Sequence, residues 1–182
     1  MSSDRYSVRV AGFGGQGVVT FGYVLARAAS LHHGSNALMT QSYGPAARGG
    51  SCRADVILSE APIDYPKTGS VDALVAMSPE SYSSFSDSVK DGGVIIYDAG
   101  LVEINEKKEE VSYFGVPALE TAKKLGNSLA ANMVMLGAIQ AITGQVTLDA
   151  LKLSIKDRFP RFVDLNTRAL EEGFRLGKKA KE

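Results

Sequence analysis

Apolar residues recur along this chain with two alternating periods. Tyr6 to Ala11 is a short strand-like run. It leads into Val18, Phe21, Leu25, Ala28 and Ala29, whose spacing predicts a helix from Gly17 to about Leu31. Ala26 and Ala29 are small enough for close packing on a sheet, and His33-Gly34 ends the helix. Asn36 to Thr40 reads as a second strand, so the first β-α-β unit predicts two parallel strands joined by a right-handed crossover. Further apolar runs at Arg53–Ser59, Ala73–Met77, Val94–Tyr97 and Glu109–Val116 predict four more strands. Ile63-Asp-Tyr-Pro66 reads as a turn. Ser78-Pro79-Glu80 combines a capping hydroxyl, a proline at the first helical position and an acid in the first turn. It opens a helix expected to reach Val89, with Asp91-Gly-Gly93 ending it. Asp98, at a strand's carboxyl end, reads as a cap for the turn at Ala99-Gly100.

The chain then turns helical. Helices are predicted over Pro117–Leu125, stopped by Gly126, over the apolar stretch Ser128–Ile142, and over the amphipathic stretches Leu148–Phe159 and Phe162–Lys178. The apolar stretch is too short to span a bilayer and reads as a core helix, with Asn132 as a satisfied core amide. Strands alternating with helices predict an α/β fold: a single three-layer domain over 1–182, with a mostly parallel sheet, a Rossmann-like start and a helical C-terminal portion.

Charge and cysteine content narrow the chemistry. The formal net charge is zero, which argues against nucleic-acid and membrane-surface partners. There is no signal-peptide pattern at the start, and the expectation is a cytoplasmic protein. Arg5, Arg9, Arg27, Arg48 and Arg53 occur in a stretch, residues 5–54, that holds no carboxylate. This asymmetry predicts an edge that faces something anionic. Cys52 is the only cysteine, so neither a disulfide nor an iron–sulfur cluster can form within the chain. It follows the Arg-Gly-Gly segment but has no neighbouring base in the sequence, and reads as a small buried residue. His32 and His33 complete no metal set.

The candidate chemistry lies in two glycine-rich segments. Gly12-Phe-Gly-Gly-Gln-Gly17 is a G-x-G-x-x-G turn between strand and helix. Its glycines permit close approach of another group, and the helix start offers unpaired N–H groups. A nicotinamide dinucleotide would need an acidic residue about 20 positions later to hold the ribose. The second strand ends instead in Thr40, Gln41 and Ser42, and no Asp or Glu lies between Asp4 and Asp55. The second segment, Gln41 to Ser51, reads as a loop of about ten residues, longer than most connections. It carries Tyr43, Arg48, Gly49 and Gly50, and an Arg beside two glycines can reach an anion in two-pronged fashion. No nucleophile–base pair, carboxylate pair or metal set accompanies these turns. The pattern is that of a subunit completing another chain's active site.

Ala11-Gly-Phe-Gly-Gly-Gln-Gly-Val18 and Gln41-Ser-Tyr-Gly-Pro-Ala-Ala-Arg-Gly-Gly50 resemble the gamma subunits of the 2-oxoacid:ferredoxin (or acceptor) oxidoreductases. The resemblance continues through Asp72-Ala-Leu-Val-Ala76 and Asn132-Met-Val-Met-Leu-Gly-Ala138 and covers nearly the whole chain. The glycine motifs, with Ile63-Asp-Tyr-Pro66, are most similar to those of the 2-oxoglutarate enzymes. Ala46 stands where many relatives carry Glu. The resemblance implies oxidation of a 2-oxoacid with coenzyme A to acyl-CoA and carbon dioxide, electrons passing to ferredoxin or a similar acceptor. It implies alpha, beta and delta subunits as partners, with thiamine diphosphate and iron–sulfur clusters held by them and none bound by this chain alone. A homodimer of the chain is also compatible with it. No catalytic residue carries over. Gly14, Gly15, Gln16, Gly17, Tyr43, Arg48, Gly49 and Gly50 are expected to meet either the phosphates of coenzyme A or a partner subunit, the interface being the favoured reading. The competing readings are a free-standing nucleotide- or CoA-binding protein, and an assembly module whose glycines serve backbone packing alone.

Overall fold

The computed structural model describes residues 5–44, 50–66 and 68–182. A six-stranded sheet forms its centre, in the order β2-β3-β1-β4-β5-β6. The strands are β1 (Arg5–Phe13), β2 (Asn36–Tyr43), β3 (Ser51–Ser59), β4 (Val71–Ala76), β5 (Val89–Asp98) and β6 (Ser112–Val116). The helices are α1 (Val18–Arg27), α2 (Pro79–Phe85), α3 (Ala118–Lys124), α4 (Ala131–Thr143), α5 (Leu148–Arg158) and α6 (Val163–Lys181). Helix α1 widens into a π-helical segment over Ala28–His33, which ends at Gly34.

Strands β1, β4, β5 and β6 run parallel to one another. The other edge departs from expectation. Strands β1 and β2 run in the same direction but do not touch, because β3 lies between them antiparallel to both. The expected β1-β2 pair is thus replaced by a β2-β3 hairpin inserted beside β1. Gln41, Ser42 and Tyr43, predicted as loop, extend β2 and pair with Ala54, Arg53 and Cys52. The hairpin is closed by the Gly44 N–H donating to the Ser51 carbonyl at 2.7 Å.

Each face of the sheet is covered differently. Val8, Val10, Ala54, Val56, Ala73, Val75 and Ile96 point to one face, where they join Phe21, Val24, Met133, Leu136, Leu151 and Leu170 of the helices in the main core. The other face holds a smaller cluster of Leu74, Ile95 and Val111 under Tyr82 and Phe85 of α2. The third layer is therefore one short helix and connecting chain. Beneath it, Arg9 and Asp55 sit opposite each other in register and form a buried ion pair at 2.7 Å. The Thr68 hydroxyl also donates to Asp55, and the Ser88 hydroxyl accepts from Arg9.

Helix α2 begins as its sequence predicts, with reciprocal bonds between Ser78 and Ser81 at the cap. It ends at Phe85 rather than Val89: one 3₁₀ turn over Ser86–Ser88 follows, and Asp91-Gly-Gly93 lies inside β5. Strand β6 begins at Ser112, three residues later than its apolar run suggests. The predicted helix Ser128–Ile142 opens with a 3₁₀ turn over Ser128–Ala130 before α4. Asp98 caps its turn as expected, with its carboxylate accepting from the Gly100 and Leu119 N–H groups. Burial raises its pKa above the ordinary carboxylate value, against those bonds.

Candidate functional site

The parallel strands β1 and β4 lie side by side, and the chain leaves their carboxyl ends in opposite directions: towards α1 from β1, towards α2 from β4. Open α/β sheets place ligands at such a point. The Gly12–Gly17 turn sits there. Gly15 and Gly17 have φ of +97° and +74°, which only glycine adopts without strain. Gly17 caps α1, and the Phe21 N–H makes the first helical bond to its carbonyl at 2.9 Å.

Gln16 occupies this point itself. Its side-chain oxygen accepts from the Phe13 N–H at 2.7 Å, and its amide donates to the Met77 carbonyl at 2.8 Å. One side chain thus joins the end of β1 to the end of β4. A Cβ on Gly12 would fall against the Gln16 side-chain oxygen, so the bare backbone of Gly12 is what admits Gln16. Asn132 braces the turn from below: its amide donates to the Gly17 carbonyl at 3.1 Å, and its oxygen accepts from the Met133 N–H. Asn132 is the satisfied core amide expected, and its role in holding the turn was invisible at sequence level.

Among the described residues, the second segment meets the first through the pairing of Ser51 with Phe13 and a bond from the Gly14 N–H to the Gly50 carbonyl at 2.9 Å. Gly14 and Gly15 are exposed. Tyr43 is 64 % exposed at the end of β2, with β3 between it and β1. The structure thus brings Gly14, Gly15, Gln16, Gly17 and Gly50 together and holds Tyr43 apart from them. Arg48 and Gly49 lie outside the described residues.

Among the described residues, the arginines of the carboxylate-free stretch other than Arg48 have partners within the chain and form no free basic edge, contrary to expectation. Arg9 is buried against Asp55. Arg53 lies 3.7 Å from the same carboxylate and 5.4 Å from the Phe85 ring. Arg27 pairs with Asp157, and Arg5 donates to the Tyr65 carbonyl. The partners of these four arginines come from later in the chain, so their charge is answered only in the fold. Cys52 is buried in the main core, and burial pushes its thiol pKa up. That makes it a packing residue, as its sequence context suggested.

Among the described residues no group of three or more His, Cys, Asp or Glu could hold a metal ion. A single buried thiol does not fit a cluster that takes four cysteines. No helix among the described residues is long and apolar enough to cross a membrane.

Residues 7–176 match the family described as pyruvate ferredoxin/flavodoxin oxidoreductase. The chain belongs to that family. It is 48% identical over 162 residues to the 2-oxoglutarate synthase subunit KorC of Methanothermobacter marburgensis, covering 86% of this chain and 87% of the relative. A keto/oxoacid ferredoxin oxidoreductase gamma subunit from Geobacter sulfurreducens superposes with a TM-score of 0.87 at 37% identity, over 97% of this chain and 98% of that one. The 2-oxoglutarate:ferredoxin oxidoreductase of Magnetococcus marinus, solved with 2-oxoglutarate, coenzyme A and succinyl-CoA bound, gives a TM-score of 0.89 at 26% identity. The match covers 98% of this chain but 32% of that one, so the same fold there is part of a longer polypeptide.

Proposed function

We propose that this chain is the gamma subunit of a cytoplasmic 2-oxoacid:ferredoxin oxidoreductase complex. The complex converts 2-oxoglutarate and coenzyme A to succinyl-CoA and carbon dioxide and passes the electrons to ferredoxin or a similar acceptor. The observation that carries this reading is the 48% identity, across nearly the full length of both chains, to a 2-oxoglutarate synthase subunit. The geometry of the glycine turn supports a structural contribution: Gln16 and Asn132 hold its shape from within the chain. Thiamine diphosphate and the iron–sulfur clusters belong to alpha, beta and delta partners.

Gly14, Gly15, Gly17, Tyr43, Arg48, Gly49 and Gly50 face a partner subunit in this reading, with coenzyme A as the other occupant to be tested. Gln16 contributes from inside, by fixing the shape of the turn. The test is a pull-down of the tagged chain from its own cells under anaerobic conditions. The eluate is assayed for coenzyme A-dependent reduction of a low-potential dye with 2-oxoglutarate and with pyruvate. We expect a multi-subunit eluate containing thiamine diphosphate and active on 2-oxoglutarate. Preference for pyruvate would overturn the substrate, and a chain that elutes alone would overturn the subunit reading.

A further inference from the structure

We infer that the surface formed by the start of α1, the 3₁₀ turn Ser128–Ala130 and the α5–α6 connection is a docking face for a partner subunit. It takes a segment that inserts an apolar side chain and places carboxylates over Arg158 and Arg161. The inference rests on the subunit reading above and specifies the surface through which the chain assembles.

Two hollows meet there. One of about 320 Å³ lies between Gly15, Thr20, Leu129, Asn132, Phe159 and Phe162. The other, of about 400 Å³, is lined by Val19, Thr20, Tyr23 and Arg158. Thr20 lines both, so the two hollows adjoin one another beside the glycine turn. Leu129 is 68 % exposed and Phe162 61 %, and with Tyr43 they are the three most exposed large hydrophobic side chains on the described surface. Leu129 and Phe162 flank the same hollow, which distinguishes them from scattered surface hydrophobics.

The cations give the partner its sign. The Arg158 guanidinium lies 5.2 Å from the Phe159 ring and 5.6 Å from the Tyr23 ring. Neither Arg158 nor Arg161 forms an ion pair among the described residues, although both are exposed. Among the described residues, no carboxylate lines either hollow. Arg161, on the α5–α6 connection, and Asp164, three residues further, are both exposed and line neither hollow. Aromatic side chains beside arginine around a hollow are the composition of interface hot spots. A second copy of the chain is a poor occupant, since an isologous contact would set this cationic patch against an identical cationic patch.

The test uses the whole complex. Two double variants of the tagged chain are expressed in its own cells: Leu129→Ser with Phe162→Ser, and Arg158→Glu with Arg161→Glu. All four side chains are exposed, so the isolated variants are expected to melt as the wild type does. We expect each variant to recover about tenfold less of the thiamine diphosphate-containing partner subunits than the wild type. Wild-type recovery by either variant pair would overturn the docking face while leaving the subunit reading in place. A wild-type chain that recovers no partner would overturn both. Two other results reassign the face and overturn the proposal. One is a wild-type dimer in light scattering that the variants abolish. The other is coenzyme A binding to the isolated chain that Arg158→Glu with Arg161→Glu abolishes.

Discussion

Gln16 ties the end of β1 to the end of β4 with its own side-chain amide: it accepts from the Phe13 N–H and donates to the Met77 carbonyl. Replacing it with Ala leaves an N–H and a carbonyl without these partners. We expect Gln16→Ala to lower stability by about 1–2 kcal/mol in urea denaturation, with the KM for coenzyme A of the assembled enzyme unchanged. A raised KM at wild-type stability would make Gln16 a ligand contact instead. Asp72 shows a second kind of residue-scale control. Burial opposes its charge, but the Lys90 ammonium at 2.8 Å and the hydroxyl and N–H of Ser7, both at 2.7 Å, outweigh burial and hold its pKa below the ordinary 3.8. The native carboxylate therefore takes up its proton at lower pH than the unfolded one. Its stabilisation is complete above about pH 4 and is lost as the pH falls through the lowered native value. Asp72→Asn is expected to cost about 1–2 kcal/mol at pH 7. That cost should shrink in denaturation curves recorded near pH 3, and an equal cost at both pH values would refute the assignment.

The helix start with the clearest local signal formed where the sequence put it. Helix α2 carries its start in Ser78-Pro79-Glu80, and the cap forms within a few residues of itself. The contact between α4 and α6 has no such signal. Gly137, Gly173 and Gly177 let the two helix backbones approach closely: a Cβ on Gly173 would lie 2.8 Å from Val134 Cα, and one on Gly137 would lie 2.7 Å from the Phe174 N. Read along the chain, these glycines merely weaken two helices. Ala at position 173 would improve helix propensity by about 1 kcal/mol in isolation. Here the helices would have to separate, and we expect Gly173→Ala to destabilise the chain by about 1–3 kcal/mol net, read as a lower thermal midpoint. A higher midpoint would mean that the helices do not pack this closely.

At the scale of the molecule, the α/β class, the helical C-terminal portion, the glycine turn and its place between β1 and α1 were all legible in the sequence. Each depends on periodicity or on residues close in the chain, and such local preferences survive into the fold because nothing in the packing opposes them. The burial of Cys52 and the cap made by Asp98 were legible for the same reason. Strand order was not. A run such as Arg53–Ser59 states that a strand exists, but its neighbours depend on where the hairpin of β2 and β3 finds an edge, and that is settled by pairing across the sheet. The ionic partners were hidden likewise. Residues 5–54 hold no carboxylate, yet Arg9 meets Asp55 and Arg27 meets Asp157, 130 positions away. Gln16 was named as a site residue from its place in the motif, and only the fold brought Met77 within reach to turn its amide inward. The sequence by itself determined what each segment is, since segment identity is a matter of near neighbours. The tertiary structure decided what each segment faces, because contacts between distant residues exist only once the chain has closed on itself.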